Sequence, residues 1–406
     1  MVMDIEVKKA QLILVGGRPV PNILTIIHEK PDIIIALCSK ESFVDSWPGL
    51  KQAIIKIVPS ITIREAEPID AFAVDAIQQT CEGELLKYPG ADWIVNVTSG
   101  TSLMTLGAYK AVENCVNTHG LSVKCWYMNT ANTRVIPLIG QGTNSDIFSI
   151  DVEQYVASYN CGLQDASGTK QYRGRYLQAD WMMLAQNWGK NIQEANLVKQ
   201  IADEAKSSPR MCKFANLSIE MNTLIRTLAA AGLVNKLNEN DTGLNFLLSE
   251  EQYKFLNGAW LELYVYQEAV SLGDFFDSVE WSKEIIDNDK KRNDKAPLTF
   301  NELDISLIYK AQLIVVECKS GKAGLEAKTL DDIINVTDAL GGRFVVKILV
   351  TNQKLSDNAD EKQKIAYKDF HTKAKRKGVY MVEQDQLPKI KTILEDQAKK
   401  PTYALR

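Results

Sequence analysis

Over residues 1 to about 140, short apolar runs alternate with stretches whose apolar positions recur every three or four residues. Gln11–Val15, Asp32–Cys38, Lys56–Ile63, Trp93–Val97 and Ser122–Asn129 read as strands of buried length. The stretch up to Ile27, then Glu41–Gln52, Ala71–Leu86 and Ser102–Cys115, read as the helices between them. This alternation predicts a mostly parallel sheet wrapped by helices in the Rossmann manner, with ligands beyond the carboxyl ends of the strands. Residues 150 to about 250 are largely helical by pattern. Leu224–Leu233, the turn Asn238–Gly243 and Leu244–Leu248 suit a winged-helix connector. A regular order then resumes: helix Asn257–Val270, strand Ser278–Ile286, charged loop Asp287–Pro297, strands Phe300–Tyr309 and Leu313–Lys319, helix Thr329–Leu340 and strand Arg343–Val350. Helix Glu361–Lys377, strand Val379–Val382 and helix Leu387–Lys399 complete it. The expected division is therefore 1–150, 151–250 and 251–406, within an overall α/β class.

Length and composition fit that picture. A chain of 406 residues is long for one core. No apolar run approaches the roughly 20 residues that span a bilayer. Asp4 and Glu6 open a segment with no apolar signal core. The seven cysteines are odd in number and form no C-x-x-C pair, which argues against a disulfide framework or a structural zinc site and for a cytoplasmic setting. A net charge of -4 does not mark a constitutive nucleic-acid binder, although a transient one needs only a local basic channel.

Candidate chemistry lies in the last region. Leu303, Ile305 and Leu307 alternate with Glu302, Asp304 and Ser306, so the polar three share one strand face. In the next strand Glu317 and Lys319 share a face inside an otherwise apolar run. Two carboxylates and an ammonium joined by a hairpin can bind Mg²⁺ or Mn²⁺ and activate water. A buried Lys319–carboxylate salt bridge is the rival reading, but such a pair rarely beats an apolar alternative, and three acids would crowd one base. Glu302 and Ser306 either take part or line the cleft. The charge run 289–295 either contacts phosphates or is a solvated loop.

Two loops stand out near the other end. Gly17, Arg18 and Pro19 follow the first strand, and Thr98, Ser99, Gly100, Thr101 and Ser102 open a helix after a later one. Glycine and small hydroxyl residues at a helix start present N–H groups to an anion, though Ser and Thr there can simply cap the helix.

Asp304 followed by Glu317–Cys318–Lys319 resembles the D…(E/D)-x-K core of PD-(D/E)XK nucleases. Trp260–Glu262 resembles that fold's early glutamate helix, which implies Glu262 as a further catalytic and metal-ligating acid. Leu330–Ile333 and Leu340–Gly342 resemble its post-core helix. Thr98–Met104 (TSGTSLM) resembles the T-x-G-T-(K/S) ligand loop of CARF domains, with Ser102 where a lysine is common. Ile150–Tyr155 is similar to the end of that domain in CARF–nuclease fusions. The resemblance implies a CARF domain, a connector and a PD-(D/E)XK restriction-endonuclease-like domain. It implies further a homodimeric endonuclease of type III CRISPR antiviral defence, activated by a cyclic oligoadenylate, cyclic tetraadenylate above all. Its substrates would be single-stranded or duplex DNA, or RNA. The alternative is a ligand-responsive CARF/winged-helix transcription regulator with an inactive nuclease domain. A HEPN ribonuclease is excluded, because none of His28, His119 and His371 follows an arginine at R-x₄₋₆-H spacing. The Gly16–Gly17 pair lacks the G-x-G-x-x-G spacing of a nicotinamide enzyme.

Overall fold

Five of the apolar runs become the parallel part of a seven-stranded sheet, with spatial order Thr62–Glu65, Ile33–Cys38, Lys9–Val15, Asp92–Asn96 and Val123–Asn129. Antiparallel Arg134–Ile139 and Ser145–Asp146 extend the last edge. The computed structural model describes residues 7–130, 133–140, 145–207, 209–240, 243–287, 298–321, 326–355 and 359–400. Lys9–Val15 and Ile33–Cys38 are buried on both faces, as their unbroken apolar sequences require. Residues 56 and 57 belong instead to helix Trp47–Ile57, and the strand starts only at Thr62. Leu50, Ala53, Ile54 and Ile57 recur at helical spacing, and that period outweighs the β-branched run after them. The helix expected over Glu41–Gln52 is two helices, Lys40–Asp45 and Trp47–Ile57, the second with a proline in its first turn.

The middle of the chain is less separate than its pattern suggests. Asp151 and Gln154 form a capping box for helix Val152–Ser158. Cys161–Asp165 then pairs antiparallel with Ser278–Asp287 and becomes the edge strand of the C-terminal sheet. Helices Ala179–Lys190 and Ile192–Glu204, strand Met211–Phe214, helix Ile219–Ala230 and hairpin Asn235–Asn240/Gly243–Leu247 follow. The three strands form one antiparallel sheet, an order that suits a winged helix.

The C-terminal sheet runs Val379–Val382, Val346–Thr351, Gln312–Lys319, Leu298–Tyr309, Ser278–Asp287, Cys161–Asp165. Its first three strands are parallel and the rest antiparallel. Lys310 and Ala311 both have positive φ, the geometry of a two-residue hairpin turn, and Asp277 accepts the Lys310 N–H at 2.6 Å. One face of this sheet packs on helix Trp260–Val270 and, through it, on the central helices, where Gly189 gives the Tyr264 ring room against Ala179–Lys190. The other face packs on Val20, Leu24, Met128 and Ile147 of the N-terminal region. Both principal cores therefore cross the divisions expected from sequence. No helix among the described residues is long and apolar enough to cross a membrane.

Candidate active site and ligand loops

Register brings the C-terminal site together. Ile305 faces Val316 across the hairpin, which sets Asp304 beside Glu317 and Cys318 at the centre of the sheet. Asp304 is 5 % exposed, and its Oδ2 accepts the Cys318 N–H at 2.7 Å. Lys319 Nζ lies 2.5 Å from Glu317 Oε1 and 3.5 Å from Asp304 Oδ2. Glu262 approaches from helix Trp260–Val270 and accepts the Trp281 indole N–H at 3.4 Å. Glu302 accepts from Ser282 Oγ at 2.9 Å. Ser282 holds a positive φ inside a strand, a strained conformation for a residue with a Cβ. Ser306 Oγ is buried with no hydrogen-bond partner among the described residues. Residues 289–295 lie outside the described residues.

The electrostatics follow from four carboxylates around one ammonium. Burial, then the Asp304 charge, pushes Glu317 up to about 8, against the pull of Lys319. Burial also holds the Glu262 carboxyl well above its ordinary range, with Asp304 and Glu302 adding to it. Glu302 is raised by burial and then by Asp304. Burial works to lower the Lys319 pKa, but Asp304 and Glu317 outweigh it and the ammonium is held charged. Burial leaves the Cys318 thiol far above its usual value and therefore inert.

This set fits a hard divalent cation by charge and by donor type, because crowded buried carboxylates are what such an ion neutralises. Among the described residues no three acidic, His or Cys side chains already stand at metal-holding spacing.

The N-terminal loops also meet. A Cβ on Gly16 would come within 2.6 Å of Gly100 N, so the two turns are in backbone contact. Thr98 Oγ1 donates to Asn96 Oδ1 at 2.6 Å and accepts the Met128 N–H at 2.7 Å. Ser99 Oγ donates to the Arg18 carbonyl at 2.7 Å. Thr101 caps helix Ser102–His119 through the Met104 N–H and donates to the Ala71 carbonyl at 3.1 Å. Gly17, Gly100 and Ser102 are exposed, and Pro19 is buried. The Arg18 guanidinium donates to Thr130 Oγ1 at 2.8 Å and lies 4.0 Å from the Phe344 ring centroid. Phe344 belongs to the C-terminal region, so this side chain spans from the N-terminal loops to the C-terminal part of the chain. Sequence reading missed Asn96, whose buried amide donates to the Pro21 carbonyl at 2.8 Å and whose oxygen orders Thr98. A polar residue ending an apolar strand was the available signal.

Residues 249–401 match the family model of the Card1-like endonuclease domain. Protein VC1899 from Vibrio cholerae is similar over 97 % of this chain and 99 % of its own, with TM-score 0.75 and 17 % identity. Can2 from Sulfobacillus thermosulfidooxidans, solved in complex with cyclic tetra-adenylate, is similar over 96 % and 98 %, with TM-score 0.71 and 21 % identity. No curated protein sequence matches the chain. The mixed α/β fold is shared with both structures along nearly the whole chain, and its C-terminal part matches an endonuclease domain.

Proposed function

We propose that this chain, which carries a Card1-like endonuclease domain over residues 249–401, is a metal-dependent endonuclease switched on by a cyclic oligoadenylate. The observation that carries the reading is the convergence of Asp304, Glu317 and Lys319 in the middle of a sheet, with more buried carboxylate than their one ammonium can balance. Asp304, Glu317 and Glu262 are the residues that would hold Mg²⁺ or Mn²⁺. Such an ion, when bound, lowers the pKa of water and offsets charge on a phosphoryl oxygen.

The chain's own residues do the rest. The Cys318 N–H fixes the rotamer of Asp304. Lys319, a third exposed, presents a charged donor to an attacking water or to the phosphoryl oxygens. The Trp281 indole N–H donates to Glu262 and fixes its carboxyl group beside the cluster.

Activation proceeds from the N-terminal loops. The exposed backbone at Gly17 and Gly100 and the start of helix Ser102–His119 suit phosphate oxygens. A cyclic tetraadenylate has two-fold symmetry, and a homodimer would present the same loops to each half. Driving the idle state from about 1:99 to 99:1 takes roughly 5.5 kcal/mol of differential affinity, more than one loop supplies. All seven cysteines are buried.

The deciding assay offers labelled single-stranded DNA, single-stranded RNA and plasmid DNA, with Mn²⁺ and a panel of cyclic oligoadenylates. Cleavage is expected with metal plus one ring size. Cleavage that survives EDTA, or that ignores every ring, would overturn the reading.

A further inference from the structure

Beyond the catalytic cluster, a polar groove of about 560 Å³ runs between helix Ile192–Glu204 and the segment after Lys319. We infer that this groove seats the single strand next to the scissile phosphate, with Lys199 and Lys206 as positioning residues for its backbone. The inference rests on the nuclease reading above.

Its location is the first argument. Gln312–Lys319 and Val346–Thr351 are neighbouring parallel strands, and Ser320, Gly321 and Asn352 lie immediately beyond their carboxyl ends. That is where open α/β sheets receive ligands. A chain whose phosphate rests at Lys319 must continue into the adjacent space.

The second argument is the architecture of the walls. Lys199 comes from the central region, yet its Cε lies 3.7 Å from where a Gly321 Cβ would be, two residues past Lys319. Gly321 has φ +70 and donates its N–H to Asn352 Oδ1 at 2.9 Å, so the turn that admits this lysine is itself held. Across the groove the helix before Glu262 widens into a π-helical turn, Phe255–Ala259. Such turns recur at functional sites. Here the widening turns the Asn257 carbonyl to the Ser320 hydroxyl, tying the groove floor to the catalytic strand. Tyr253 adds an aromatic side, its ring covered by Arg210 at 3.5 Å.

Size and charge choose the occupant. The volume suits a ligand the size of one or two nucleotides, within the range of small-molecule pockets, and is too small for a duplex. Asp203 and Glu326 also line the groove, and Lys199 pairs with Asp203 at 2.6 Å. A mixed lining of this kind holds a strand transiently, whereas a wholly basic one would retain it. Lys206 is exposed and has no ion pair among the described residues.

The test measures both binding and turnover with the full chain, Mn²⁺ and cyclic tetraadenylate. Wild type, the double variant Lys199→Ala/Lys206→Ala, the charge-keeping Lys199→Arg/Lys206→Arg and the surface variant Lys206→Glu are compared on single-stranded DNA, single-stranded RNA and a duplex of the same sequence. The alanine pair is expected to raise KM about tenfold on the preferred single strand and leave kcat at saturation unchanged. It should also flatten the salt slope of log(kcat/KM) by about 1.4, the value for two phosphate contacts to a single strand. Arginine should restore both, and Lys206→Glu should raise KM if the double variant folds poorly. Unchanged KM and salt slope in a cleaving enzyme, or an equal loss on the duplex, would overturn the groove assignment. Fluorescence anisotropy of the same oligonucleotides separates the two ideas. Lysine-dependent binding without cleavage would remove the nuclease reading and keep the groove.

Discussion

The two candidate sites meet opposite demands. At the N-terminal loops the hydroxyls of Thr98, Ser99 and Thr101 all have partners within the chain. Those three hydroxyls need no ligand to be satisfied. In the C-terminal sheet Asp304, Glu317, Glu262 and Glu302 share a single ammonium, and burial raises the pKa of three of them. That cluster holds more buried acid than its one ammonium balances. The N-terminal loops are built from settled neutral groups, and the C-terminal cluster from crowded charged ones.

The sharpest way to break that contrast is Lys319→Ala. With the one cation gone, cleavage should fall at least 10²–10³-fold, the scale for loss of a single charge-stabilising donor. Binding of the cyclic ligand, followed by calorimetry, should not change. Near-normal cleavage by the folded variant would erase the distinction between the sites. Asp304→Asn and Glu317→Gln are expected to abolish cleavage similarly.

Charge crowding should also show as pH-dependent stability. A carboxyl whose folded pKa lies above its unfolded one gives its stability at low pH and loses it as pH climbs. For Glu317 that window runs from near 4.5 to about 8. In EDTA the melting temperature should therefore decline across it, by the equivalent of a few kcal/mol. Mn²⁺ should flatten the decline, and so should Glu317→Gln. A metal-free melting temperature that rises across the same window would contradict the crowding.

Backbone contact is the corresponding weak point of the loops. Gly16→Ala drives a methyl into Gly100 and should weaken cyclic oligoadenylate binding more than tenfold. Equilibrium dialysis would measure it, with Mn²⁺ binding unaffected. The smallest effect expected is that of Thr101→Ala, which removes a helix cap worth about 1 kcal/mol by thermal melting. Joined to Arg18→Ala, it should raise the activator concentration needed for cleavage while the metal requirement stays as it was.

Much of this was legible in the chain. Period-two alternation put Asp304 and Glu302 on one face, and the apolar run around Glu317 and Lys319 forecast a central strand. What periodicity cannot convey is pairing at a distance. Nothing near Cys161 announces a partner more than a hundred residues away in Ser278–Asp287. The helix period of Leu50–Ile57 was hidden by the β-branched residues that follow it. The loop around Arg18 suggests a phosphate contact, but no local pattern tells that its guanidinium also rests on Phe344, hundreds of residues along the chain. Spacing places residues on elements, and tertiary packing decides what each element meets.

The strand Cys161–Asp165 has a bearing on how the protein could fail. A fragment starting at residue 249 would keep Glu262, Asp304, Glu317 and Lys319, yet it would leave Ser278–Asp287 as an open edge. It would also strip Trp181 and Trp188 from the aromatic face they cover. Bare edges template pairing between copies, so such a fragment should aggregate. A break just before residue 249 therefore costs the C-terminal sheet both its edge strand and part of its aromatic cover.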